Sequence, residues 1–224
     1  NAAMSKHRTR IKFCGNTRAE DVRLAAELGV DYIGYVQVPA SPRMASPQAV
    51  LAMLEALREA GSTAPQAVAL FQNAEALQIA ALLQQRPPAL LQFHGREPPG
   101  FCAQFDLPWI KAVPMGEPQH YPDWERDFAN AHALLADSHT SQGGGGSGHA
   151  FAWQQLPVPA ARRLPLLLAG GLTPETVGEA IRQVRPWGVD VSSGIESGAP
   201  GTKGIKDHRK MRAFVEAVRA ADEA

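Results

Sequence analysis

Short apolar runs alternate along the chain with longer segments whose apolar positions recur every three or four residues. The first pattern marks buried strands and the second amphipathic helices. "RIKFC", ending at Cys14, leads into "TRAEDVRLAAELG", where Thr17 and Glu20 have the spacing of a capping box. "YIGYVQV" precedes "SPQAVLAMLEALREAG", a helix with Ser46 as N-cap and Pro47 in its first turn. "AVALFQ" with "AEALQIAALLQQR", and "ALLQFHG" with the proline-broken "REPPGFCAQF", make the third and fourth pairs. "WIKAVP" with "DWERDFANA", and "ALLADS" with a glycine run and a short segment around "AWQQLP", make the fifth and sixth. "LPLLLAGG" precedes "TPETVGEAIRQVR", which Thr173 is expected to cap and Pro174 to open. "GVDVSSG" precedes "KDHRKMRAFVEAVRAA".

Strands with few polar interruptions are covered on both faces, as a parallel sheet requires. Alternating units of this kind predict an α/β fold, and eight of them in 224 residues suit a single (β/α)8 TIM barrel. An open doubly wound sheet is the competing arrangement. Residues 4–224 are expected to form one domain, with residues 1–3 before Met4 a cloning scar. The glycine run at 143–148 looks like a tether, yet a tether there would separate strands that the sheet needs. It is read as a long sixth βα loop.

Charge changes the picture little, because 22 basic and 22 acidic residues cancel. No field favours nucleic acid or an anionic membrane, while a small anionic ligand needs only local donors. No apolar run spans a bilayer. The only cysteines are Cys14 and Cys102, too few for a disulfide framework, so a reducing, cytoplasmic setting is expected. The histidines show no short ligand spacing, and no metal set is expected from them.

In a barrel, the ends of the strands present the chemistry. Cys14, Arg43, His94, Asp137 and Asp190 fall there. "AGGLTPE" places Gly170 and Gly171 ahead of a helix start, and "DVSSGIES" places Ser192, Ser193 and Gly194 after strand eight. Adjacent turns of this kind suit a phosphate, although either could be a tight turn alone. Cys14 is a buried small hydrophobe or a reactive thiol. Asp137 is a loop brace or an acid at the mouth. Arg43 is a surface charge or a two-pronged partner for a planar carboxylate.

"KFCGNTRAEDVRLAAELGVDYIGYV", "ASPR", "QFHGRE", "GGSGHAFAW", "LAGGLTPETV", "VDVSSGIES" and "PGTKGIKD" together resemble the phosphoribosylanthranilate isomerase family of tryptophan biosynthesis. The resemblance implies a (β/α)8 barrel with neither metal nor organic cofactor, acting as a monomer or homodimer on a sugar phosphate. It implies an Amadori rearrangement of N-(5-phosphoribosyl)anthranilate to its aminoketose. Asp137 then falls on the general acid, which calls for a raised pKa, and Cys14 on the general base, helped by the helix start after Thr17. Arg43 falls on the site of the anthranilate carboxylate, Gly170–Gly171 and Ser192–Gly194 on the phosphate site, and Asp190 on a sugar hydroxyl. The stretch from Gly145 to Gly148 matches the family's glycine-rich loop, expected to cover the site. Asn16 and Gln37 depart from the family pattern and are expected to alter the fit around the anthranilate ring. Two alternatives stay open: the related sugar-phosphate isomerase of histidine biosynthesis, and a non-catalytic phosphate-binding barrel.

Overall fold

The computed structural model describes residues 7–142 and 151–224. The expected scar at 1–3, the glycine run at 143–148 and His149 lie outside the described residues. Eight parallel strands close into a barrel in sequence order. They are β1 (Arg10–Phe13), β2 (Tyr32–Val36), β3 (Gln66–Phe71), β4 (Leu90–Phe93), β5 (Trp109–Pro114), β6 (Ala133–Asp137), β7 (Leu166–Leu168) and β8 (Gly188–Val191). Closure is made by β1 against β8, with Arg10 opposite Gly188 and Phe13 opposite Val191. The open-sheet alternative is thereby excluded.

Helices α1 (Ala19–Glu27), α2 (Pro47–Ala60), α3 (Ala76–Gln85), α4 (Pro99–Ala103) and α5 (Tyr121–Asp127) follow the first five strands; α6 (Val177–Val184) and α7 (His208–Glu223) follow the last two. Among the described residues, β6 is followed only by single 3-10 turns at Trp153–Gln155 and Pro159–Ala161. Ser46 caps α2 as its sequence predicts, accepting from the Ala49 amide. The other two predicted caps are corrected. Thr17 donates its hydroxyl to the Gly204 carbonyl, 2.7 Å away, so α1 begins after Arg18 without a side-chain cap. Thr173 instead closes a turn with Thr176, whose hydroxyl accepts from the Thr173 amide, and α6 starts at Val177.

The period of two along each strand sorts side chains into two cores. Ile11, Phe13, Ile33, Tyr35, Leu91 and Phe93 face the helices. Tyr32, Val68, Leu90, Ile110, Leu135 and Leu167 fill the barrel floor. Two lysines interrupt these strands, and both are buried. Lys12 reaches Asp190 at 2.7 Å. Lys111 reaches Glu97 at 3.1 Å and the Gly95 carbonyl at 2.7 Å. Above the floor, the strand ends open into the site.

Candidate active site

One cavity of about 450 Å³ sits at the C-terminal mouth of the barrel. Of the residues singled out from sequence, Cys14, Arg43, Asp137, Gly170, Gly171, Asp190, Ser192 and Ser193 all line it; Gly194 does not. Gln92, His94, His139 and Lys203 also line it. Residues from seven different strands or the loops after them converge on a space large enough for a small ligand.

Cys14 follows directly on β1, held by its amide to the Val191 carbonyl at 2.9 Å, and is only 6% exposed. Its sulfur packs with Val36 and Leu70. The sequence assigned its electrostatic help to the start of α1; the structure adds a nearer cation that the sequence reading missed. The Lys12 ammonium bonds Asp190 at 2.7 Å and also interacts with the Cys14 side chain. Burial works against that charge, but the attraction of Asp190 and Cys14 more than compensates and holds Lys12 above the ordinary lysine range. Gly34 makes room for this arrangement, since a Cβ there would lie 2.9 Å from the Cys14 sulfur and 3.2 Å from the Lys12 nitrogen.

Asp137 ends β6 and is 7% exposed. One oxygen, Oδ2, receives both His139 Nδ1 at 2.9 Å and His94 Nε2 at 3.1 Å. The raised pKa expected for this carboxyl is corrected. Burial does push it up, but hydrogen bonds and charge from His139 and His94 outweigh burial and hold it well below the usual carboxylate range. Burial in turn pulls His139 below the ordinary histidine range, although Asp137 opposes the shift. Without any short spacing in the sequence, the fold brings two of the histidines together. His94, Asp137 and His139 bring their metal-ligating atoms within 4.8 Å of one another.

Arg43 meets Glu196 in the two-pronged contact its residue type favours, with Nε and Nη2 at 2.8 and 2.7 Å from the two carboxylate oxygens. Its remaining amino group makes no hydrogen bond to a described residue. Glu196 also accepts from the Gly204 amide at 2.8 Å and lies 3.6 Å from Lys206. Lys206 is fully buried, and burial pulls its pKa down to about 8 despite that partner. Neither Glu196 nor Lys206 stood out from sequence, since both fall in a loop rich in glycine and charge.

Gly170 and Gly171 turn with φ of 91° and 68°, a region side chains rarely adopt. No described residue accepts a hydrogen bond from either amide. The Ser192 hydroxyl is buried without a hydrogen-bond partner among the described residues. These donors are what an anion would use. Gly194 holds the two turns together from behind, because a Cβ there would come within 1.9 Å of the Leu172 carbonyl oxygen. Gly194→Ala is therefore expected to force these turns apart, costing about 1–3 kcal/mol as overpacking does. Thermal melting and titration with inorganic phosphate check it; unchanged values in both would contradict the packing argument.

Asn16 and Gln37 do not reach the cavity. Asn16 is fully buried and donates to the Phe13 and Gly34 carbonyls at 2.8 and 2.9 Å. Gln37 donates to the Val36 and Ala45 carbonyls at 2.8 and 3.1 Å. Both side chains brace backbone, and neither lines this cavity.

A family described as N-(5'-phosphoribosyl)anthranilate (PRA) isomerase matches residues 11–217. The chain belongs to this family. It is 47% identical to N-(5'-phosphoribosyl)anthranilate isomerase of Xanthomonas campestris pv. campestris (strain 8004), over 97% of this chain and 96% of that one. The crystal structure of phosphoribosyl anthranilate isomerase from Thermus thermophilus superposes with a TM-score of 0.78 at 33% identity, covering 95% of this chain and 99% of that one. A further family structure is in complex with reduced 1-(o-carboxyphenylamino)-1-deoxyribulose 5-phosphate. It superposes with a TM-score of 0.76 at 31% identity, over 95% of this chain and 99% of that chain.

Proposed function

We propose that Cys14 and Asp137 perform the two proton transfers of the family's reaction in this chain. That reaction is the isomerisation of N-(5'-phosphoribosyl)anthranilate in tryptophan biosynthesis, and it is the activity of this protein. The supporting observation is that the thiol, the carboxyl, an arginine and two anion-suited turns share one cavity.

The substrate has an acidic group at each end, a phosphate and a benzoate. In our reading the phosphate takes the Gly170–Gly171 amides and the Ser192–Gly194 turn, and the benzoate takes the amino group of Arg43 that Glu196 leaves free. This stretches the ribose across the mouth between Asp137 and Cys14. A proton taken up by the His94–Asp137–His139 cluster as the anionic substrate enters is passed through Asp137 to the ring oxygen, and the ring opens to an iminium ion. Cys14 then removes the proton from C2, with the Lys12 ammonium as counter-charge to the thiolate. The resulting enolamine relaxes to the ketone. Asp190, fixed by Lys12, is placed for a sugar hydroxyl.

A fluorescence assay following loss of the anthranilate adduct tests the reading. Turnover is expected, whereas binding without turnover would support the non-catalytic barrel. A cysteine at the first strand end, in place of a carboxylate, argues against the histidine-pathway isomerase. Arg43→Lys is expected to raise KM roughly 10–100-fold, the cost of losing one charge-assisted hydrogen bond. Its kcat should change little, and an unchanged KM would remove Arg43 from the binding site.

We place residues 4–224 in one barrel domain acting in the cytoplasm, as a monomer or homodimer, with no nucleic-acid or membrane partner. Both cysteines are free, and no helix among the described residues is long and apolar enough to cross a membrane.

A further inference from the structure

The mouth of the barrel holds a constellation whose donor set suits more than proton transfer. His94 leaves β4, while Asp137 and His139 leave β6, and β5 lies between these strands. The imidazole rings lean together, with centroids 4.3 Å apart and planes at 36°. Each of the three residues offers a ligand atom within 4.8 Å of the other two, and Asp137 Oδ2 meets His94 Nε2 and His139 Nδ1 directly. Two imidazoles and one carboxylate are a donor set of borderline softness, suited to zinc and similar divalent ions.

The separations are close to what such an ion imposes. Tetrahedral zinc, with bonds of about 2.0–2.2 Å, sets its ligand atoms roughly 3.3 Å apart. The Asp137 oxygen already lies 2.9 and 3.1 Å from the two nitrogens. All three ligand atoms lie within 4.8 Å of one another, and turns of the two rings would bring the nitrogens together around an ion.

A second observation points the same way. Gln92 is 1% exposed, and its amide nitrogen lies 3.2 Å from His94 Nδ1, while its Oε1 has no hydrogen-bond partner among the described residues. In that arrangement the His94 proton sits on Nε2 and points at Asp137. With a metal ion on Nε2, the proton belongs on Nδ1. A half-turn of the Gln92 amide then presents Oε1 to it as acceptor. This is how partners of metal-bound histidines fix the ring and its tautomer.

We propose that His94, Asp137 and His139 form a zinc-type divalent cation site in which Gln92 orients His94, and that the bound ion inhibits the isomerase. All four residues line the cavity, so the remaining coordination position opens toward the substrate. The ion takes the Asp137 oxygen that our mechanism assigns to proton transfer. The inhibitory part therefore rests on the proposed function, whereas the site itself does not.

The test uses full-length enzyme stripped with EDTA and titrated with zinc chloride by calorimetry, without substrate. One strong site per chain is expected. His139→Ala and His94→Ala should each weaken it at least 10-fold, and Gln92→Leu about 10–100-fold, as loss of an outer-sphere partner does. Cys14→Ser should leave it intact. Absence of a strong site overturns the proposal, as does zinc binding that survives both histidine variants and disappears with Cys14→Ser. Folding of each variant is checked by circular dichroism, and the visible spectrum of added cobalt(II) reports nitrogen–oxygen ligation independently of activity. In the isomerase assay zinc should inhibit competitively with substrate, reversibly by EDTA. For His139→Ala, the zinc concentration for half inhibition, relative to the variant's own metal-free rate, should rise by the same factor as its dissociation constant. Zinc binding without inhibition would overturn the inhibitory role and the acid assignment of Asp137 together, leaving the metal site standing.

Discussion

Asp137→Asn is expected to lower turnover by roughly 10²–10⁴-fold, the usual worth of one positioned proton transfer. The amide matches the carboxylate in shape, and its oxygen still accepts from His139 and His94. The barrel and the substrate's two anionic anchors are untouched, so KM should stay close to that of the unaltered enzyme. What is lost is the capacity to pass a proton to the ring oxygen. Cys14→Ser should have an effect of the same order for the opposite reason. Serine fits the small space between Val36 and Leu70, but its hydroxyl yields its proton far less readily than a thiol. Steady-state kinetics by anthranilate fluorescence, with circular dichroism for the fold, check both. Near-normal turnover in either variant removes that residue from the assignment.

Lys111→Met is expected to be the most damaging single change to stability, at about 3–5 kcal/mol. The Lys111 and Glu97 side chains are 1% and 3% exposed, and Glu97 also accepts from the Asn73 and Gly95 amides at 2.8 Å each. Removing the lysine strands a buried carboxylate and leaves the Gly95 carbonyl without this donor. For a chain of this size the loss corresponds to a fall in melting temperature of roughly 6–20 °C. Adding Glu97→Gln to the same chain should recover part of it, because no lone charge then remains buried. A melting temperature unchanged by Lys111→Met would show that the pair contributes nothing.

The fold was legible because it rests on local patterns. The eight apolar runs and the Ser46–Pro47 helix start needed no partner elsewhere in the chain to be recognised. Cys14 and Asp137 were legible as strand-end residues. The caps at Thr17 and Thr173 were misread because tertiary contact competes with local geometry: Gly204 takes the Thr17 hydroxyl, and Thr176 pairs with Thr173. The electrostatics of the site were the least legible. Lys12 in "RIKF" is a lysine inside a buried strand, and that oddity was the available signal. Nothing in local spacing joins His94 to His139, because β5 and the β6 register bring them together. That juxtaposition also explains why a carboxyl expected to be raised is instead held low.

A crystal structure of this chain with reduced 1-(o-carboxyphenylamino)-1-deoxyribulose 5-phosphate tests the central assignment most directly. The account predicts the Cys14 sulfur in contact with C2 and an Asp137 oxygen within about 3.2 Å of a ribose-derived oxygen, on opposite sides of the sugar. The phosphate should sit against Gly170, Gly171 and Ser192. A ligand seated in the cavity with either group out of reach, or with both on the same side, would contradict it.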